Sequence, residues 1–170
     1  MQQINFEHTL LPLKNKLFRL ALRITLDRPE AEDVVQETLI RVWNKREELG
    51  QVESIEAYCM TVCRNLSLDR HARKEAQNLS LDAQVIDATD TALSAQEQME
   101  RSEKLQRVHE LFNRLPEKQR TVMQLRDIEE KSYKEIAEIL QVSEDVVKVT
   151  LFRARQSIRK QYEKIDHYGL

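Results

Sequence analysis

The side chains best placed to do chemistry lie between Ser143 and Arg159. Lys148, Arg153 and Arg159 supply cations, Asp145 an acceptor, and Val149, Phe152 and Gln156 apolar and amide contacts. On a helix turning about 100° per residue, these seven share one side. Opposite them runs an apolar stripe, Val147, Leu151, Ala154 and Ile158. Cations on such a face neutralise phosphates, and the side chains among them reach base edges in a groove. The same pattern fits the solvated face of an ordinary helical hairpin, and this stretch alone leaves both readings open.

The elements that position these residues are two short helices. Ser132 followed by Glu135 is a capping box, so a helix opens there and buries Ile136, Ala137 and Leu140. Gln141-Val142-Ser143 interrupts it, and Ser143 caps the next helix. Two helices about a three-residue turn, with a basic outer face on the second, make a helix-turn-helix pattern.

A second constellation lies on a helix that starts near Pro29 and buries Ala31, Val34, Val35, Thr38, Leu39 and Val42. Asp33, Gln36, Glu37, Ile40 and Trp43 gather on its other side. They form either a docking patch with an apolar centre and polar rim, or a helix face on which Trp43 closes the end of the local core. A third set follows from Ser54, on a helix burying Ile55, Cys59, Val62, Cys63 and Leu66. Off that stripe lie Tyr58 and Thr61, and the helix ends in Arg64, Asn65, Arg70, Arg73 and Lys74. These cations suit either the negative end of a helix dipole or a phosphate-contacting surface, with Tyr58 as a stacking group.

Composition supports an all-helical chain. Of 170 residues 33% are charged and 41% hydrophobic, with only two Gly and three Pro. The net charge of −2 conceals an uneven distribution. Residues 1–75 hold 12 Lys+Arg and 12 Asp+Glu, 76–100 hold five acids and no base, and 101–170 hold 15 bases and 12 acids. No apolar run is long enough to span a membrane, and the N-terminus lacks the pattern of a secretion signal. Cys59 and Cys63 are expected to be buried thiols in a reducing cytoplasm, since no partner pair completes a metal site. His8, His71, His109 and His167 are scattered, and no nucleophile–base pair or Gly-rich phosphate loop is present. The expectation is a non-enzyme without metal or cofactor.

Periodicity places a first helix over Phe6–Leu26, a loop over Asn44–Glu53, and an acidic linker over 76–100. Leu105, Val108, Phe112 and Leu115 open a second helical unit, which Pro116 restarts and in which Val122, Met123 and Leu125 are apolar. The expected organisation is two small all-α domains, 1–75 with three helices and 101–170 with four, joined by that linker.

At this point the residues resemble a family. Ala31-Glu32-Asp33-Val34-Val35-Gln36-Glu37-Thr38, running into Arg41-Val42-Trp43, is similar to the most characteristic segment of sigma-70 factors, especially the extracytoplasmic-function (ECF) group. Ala57-Tyr58 through Arg64-Asn65-Leu66 and Asp69-Arg70 resembles that group's promoter-melting helix. Leu115-Pro116-Glu117-Lys118-Gln119-Arg120, Ser132-Tyr133-Lys134-Glu135-Ile136-Ala137 and Arg153-Ala154-Arg155 resemble its fourth region. The resemblance implies region 2 over 1–75 and region 4 over 101–170. It implies that Asp33, Gln36, Glu37, Ile40 and Trp43 dock on the clamp of core RNA polymerase, with the flap a further contact. Lys45, Arg46, Tyr58, Thr61, Arg64, Asn65, Arg70, Arg73 and Lys74 would recognise and open the promoter −10 element. Ser143, Asp145, Lys148, Val149, Phe152, Arg153, Arg155 and Arg159 would read the −35 element. An anti-sigma partner, a monomeric free state, no membrane insertion and a stress or envelope signal are implied too. The sequence departs from the family at Val149-Thr150, where relatives carry a small residue and Arg, and at Asp145. Tyr58 stands for the usual Trp, and Gln141 replaces the usual turn Gly, which predicts backbone strain.

Two rivals make different predictions. A conventional dimeric helix-turn-helix regulator binds duplex operator DNA without polymerase. A helical adaptor binds protein alone, with no salt-dependent DNA contact.

Overall fold

The computed structural model describes residues 3–78 and 103–167, and every regular element among them is helical. The expected linker therefore lies almost wholly outside the described residues. None of the described helices is long and apolar enough to cross a membrane.

Asn5 opens the fold, its side chain accepting from the backbone N–H of Glu7 at 2.9 Å and of His8 at 3.1 Å. The single helix expected over Phe6–Leu26 is divided. A π turn (Phe6–Leu10) and a 3-10 turn (Leu11–Leu13) precede α1, Lys14–Thr25. Pro12 has no N–H to donate, so the regular α ladder begins only after it. Leu26 ends α1 in the left-handed region (φ 56°), its N–H returning to the Leu22 carbonyl at 2.8 Å. Asp27 then caps α2, Arg28–Asn44, accepting from the Glu30 N–H at 3.1 Å, and Pro29 is its second residue. The other Asp27 oxygen takes the ammonium of Lys74 from α3, Ile55–Asn78, which Ser54 caps. One aspartate thus starts a helix and ties it to the next.

The chain continues with α4, Glu103–Arg114, and α5, Glu117–Met123, which runs on into a π turn, Gln124–Ile128. It ends with α6, Tyr133–Leu140, and α7, Glu144–His167. Leu17, Leu20, Ile24, Val34, Val42 and Met60 of the first half share one buried cluster with Val122, Leu125, Ile136, Ile139 and Val147 of the second. A smaller cluster joins Phe112, Leu115 and Ala154. Leu105, expected on the buried face of α4, is 46% exposed, while Leu111 is buried instead.

A polar layer also crosses between the halves. Arg120, buried, donates to the carbonyls of Arg23 at 2.9 Å, Ile24 at 3.1 Å and Leu115 at 2.8 Å. Two of these are last-turn carbonyls of α1, which lack helical partners and carry the negative end of its dipole. Arg23 donates to Gln124 at 2.9 Å and to Asn113 at 2.8 Å, with its guanidinium 3.8 Å above the Phe112 ring. Burial, then the neighbouring Arg120 charge, brings Arg23 down to about 10. Glu56 receives both Lys16, at 2.8 Å, and Lys131.

Candidate nucleic-acid interface and docking face

The helix-turn-helix forms from the local chemistry of its two caps. Ser132 Oγ accepts from the Glu135 N–H at 3.1 Å and donates to the Glu135 carboxylate at 3.0 Å, so the box closes through side chains. Gln141 takes the left-handed conformation (φ 56°, ψ 46°), and the Val142 N–H returns to Ala137 O at 3.0 Å. The strain expected there is present. Ser143 Oγ accepts from the Val146 N–H at 3.2 Å and starts α7. Val147, Leu151 and Ala154 are buried as the stripe requires.

The outward side of α7 is mixed, with Asp145, Val149, Phe152 and Gln156 along it and Arg153 and Arg159 beside them. Val149 is 48% and Phe152 65% exposed. Ser143, Asp145, Arg153 and Arg159 are also exposed, and among the described residues neither Arg153 nor Arg159 makes an ion pair. Lys148 lies over the Tyr133 ring at 5.5 Å, and Arg126 stacks on the same ring at 4.2 Å. Arg155 points to a flank and pairs with Asp127, whose hydrogen bond and charge raise the arginine's ionisation against the effect of burial. It stands apart from the other cations expected on the outward face. Sequence reasoning missed Tyr133 and Asp127 in these supporting roles, because neither spacing nor periodicity joins them to α7.

On α2, Gln36 and Ile40 are exposed, Ile40 by 59%. The carboxylates beside them are held by α3. Arg70 donates to Asp33 at 2.6 Å, Glu30 at 2.9 Å and Glu37 at 3.0 Å, while Arg41 takes the other Glu37 oxygen at 2.7 Å. Its hydrogen bonds to Asp33 and then to Glu30 raise the pKa of Arg70, outweighing burial. Arg70 was expected at the −10 element with the other α3 cations; its guanidinium is paired with the carboxylates of α2. Glu30 was missed, although Glu30, Asp33 and Glu37 fall at helical spacing on one face. Trp43 closes one end of the local core. Half-buried against the core, its ring meets Phe6 edge-on at 5.7 Å and carries the Arg46 guanidinium at 3.9 Å.

The remaining α3 candidates are divided. Tyr58 packs partly against the core, and the Thr61 hydroxyl donates to Ala57 O at 2.9 Å. Arg64 donates to Asn65 at 3.2 Å and lines a cleft with Leu140, Val142 and Val146 of the second half. Lys74 is held by Asp27, Arg73 lies 3.7 Å from Asp69, and Lys45 is exposed at the end of α2. Cys59 and Cys63 are free, buried thiols pushed up to about 12, in both cases chiefly by burial.

Comparison with known proteins gives two family matches. Residues 11–77 match the model described as Sigma-70 region 2, and residues 105–158 the model described as Sigma-70, region 4. The ECF RNA polymerase sigma factor SigW of Bacillus subtilis (strain 168) is 29% identical over 87% of this chain and 83% of that protein. The RNA polymerase sigma-H factor of Pseudomonas aeruginosa is 29% identical over 91% and 84%. Among solved structures, the sigma factor RpoE from Bartonella quintana, crystallised with the anti-sigma factor NepR, superposes with a TM-score of 0.76. It is 24% identical, with 95% of this chain and 98% of that one covered, and so bears on the fold alone.

Proposed function

Since this chain belongs to the sigma-70 family, as a sigma factor of the ECF group, we propose that it docks on the clamp of core RNA polymerase through α2. Asp33, Gln36, Glu37 and Ile40 supply the contact and Trp43 its edge. Arg70 acts from behind, fixing the carboxylates in one geometry so that less side-chain freedom is lost on binding. The helix α3, with Tyr58, Thr61, Arg64, Asn65 and Arg73, opens the −10 element together with Lys45 and Arg46. Unstacking a base takes a few kcal/mol, which phosphate neutralisation and aromatic contact offset. The helix α7 enters the major groove of the −35 element. Arg153, Arg159 and Lys148 serve phosphates, and Ser143 and Asp145 lie nearer base edges.

The packing of the halves has a consequence for this mechanism. Two elements about 25 base pairs apart are about 85 Å apart along the duplex. A packed chain of 170 residues is about 40 Å across. Both elements cannot be held at once while Arg120 rests on α1, so the halves part when the promoter is engaged. Residues 79–102 can reach about 80 Å at full covalent extension. The packed form is suited to capture by an anti-sigma protein in the cytoplasm, with release following a stress or envelope signal.

The observation that carries this reading is the pairing of an acid-and-apolar face on α2 with a separate cation-flanked face on α7. Titration of fluorescently labelled protein with core polymerase tests it. Replacing Asp33, Gln36 and Glu37 together by Ala weakens binding at least tenfold while urea stability stays within about 2 kcal/mol. Unchanged affinity would remove α2 from the interface.

A further inference from the structure

The proposed role of α7 as the major-groove helix leaves a detail unexplained. The line of α7 farthest from the core is not cationic. Measured at about 100° per residue from the centre of the buried stripe, Val149 lies almost diametrically opposite, with Phe152 on one side and Arg153 on the other. Val149 and Phe152 are 48% and 65% exposed. Gln156 and Asp145, both exposed, share this side, while Lys148 is drawn to Tyr133 and Arg155 to Asp127. A helix seated in the major groove turns its flanks to phosphates and its outermost line to the base edges.

Resting on that role, we propose that this protein reads a thymine in the upstream promoter element through its C5-methyl group, with Val149 as the reading side chain and Phe152 as the second apolar wall. Thymine alone among the four bases presents an apolar group in the major groove. Valine matches it in chemistry and rigidity, because its branched Cβ leaves little rotamer freedom to lose on contact. It also discriminates by exclusion. Opposite cytosine N4 or guanine O6, Val149 would displace water from a polar group and return no hydrogen bond. Val146, 49% exposed, and Val142, 39% exposed, extend the apolar surface towards the start of α7, and the flanking Arg153 and Arg159 complement a polyanion rather than an apolar protein surface.

The test uses the full chain with core polymerase. The upstream element is first selected from random promoter fragments, and each thymine in it is then replaced by deoxyuridine, which lacks only the methyl group. At one or two positions the replacement lowers promoter affinity about fourfold, the value of one buried methyl. Val149→Ala abolishes that sensitivity, and Val149→Asn shifts the preferred base there towards adenine. If an element is selected but no deoxyuridine position matters, the methyl reading is overturned while the sigma assignment stands. Should Val149→Ala instead weaken capture by an anti-sigma protein, with DNA unaffected, the face is a protein-docking surface and the proposal is likewise overturned. If no promoter is selected at all, the sigma assignment and this proposal fall together.

Discussion

Arg120 donates through Nε to the backbone carbonyl of Arg23 at 2.9 Å, placing a buried guanidinium at the last turn of α1 across 97 residues of sequence. Its other nitrogens take the carbonyls of Ile24 and Leu115, so one side chain closes α1, the start of α5 and the seam between the halves. Arg120→Ala leaves these carbonyls without a charged donor and is expected to cost about 3 kcal/mol in urea unfolding. Arg120→Lys recovers less than half, because an ammonium cannot reproduce the planar fork. A loss under about 1 kcal/mol for the alanine variant would show that the seam is held by apolar contact alone.

Arg70 and Glu37 provide a second check. The double-mutant cycle of Arg70→Ala and Glu37→Ala should give a coupling of about 1 kcal/mol in unfolding, as expected for a partly shielded pair at 3.0 Å. Arg70→Ala should also weaken core polymerase binding several-fold, since Glu30, Asp33 and Glu37 then repel one another on the proposed docking face. Effects confined to −10 DNA, with no change in polymerase affinity, would return Arg70 to the promoter-melting set.

Gln141 offers a gain. With its φ at 56°, a residue with a Cβ is strained where glycine is not. Gln141→Gly should raise stability by about 0.5–1 kcal/mol, read as a higher urea midpoint at unchanged slope. A fall in stability would mean that the Gln side chain contributes more than its backbone conformation takes away.

The helix-turn-helix was legible because its determinants are local. Ser132, Glu135 and Ser143 cap from within three residues, and the stripe from Val147 to Ala154 repeats at the helical period. The acidic face of α2 was legible for the same reason, but the residue that holds it was not. Arg70 looked like any other α3 cation, and only the crossing of α2 and α3 shows that it points at carboxylates. Arg120, Gln124 and Lys131 were harder still. Polar residues are expected outside, and these three are buried because partners from distant segments satisfy them. The helix expected over Phe6–Leu26 failed on Pro12, whose ring outweighed an otherwise consistent apolar period.

Cys59 and Cys63 should be inert to a thiol reagent at pH 8 in the native protein, and both should react on unfolding in urea. Burial raises each from 9.0 to about 12. The unfolded chain therefore loses these protons first as the pH rises, and the stability that the neutral thiols contribute is full below pH 9 and declines between 9 and 12. Replacing both by Ser should flatten that decline. Rapid labelling of the native protein at pH 8 would contradict the burial.

The central claim is that one chain carries both a polymerase-docking face and a promoter-reading face. It is tested most directly by transcription in vitro from random promoter fragments with core polymerase, with and without the protein. The account predicts defined transcripts that require the protein, share two sequence elements, and disappear when Asp33, Gln36 and Glu37 are replaced by Ala. Absence of any dependent transcript, together with tight dimeric binding to duplex DNA without polymerase, would contradict it and make α7 the reading helix of a conventional regulator.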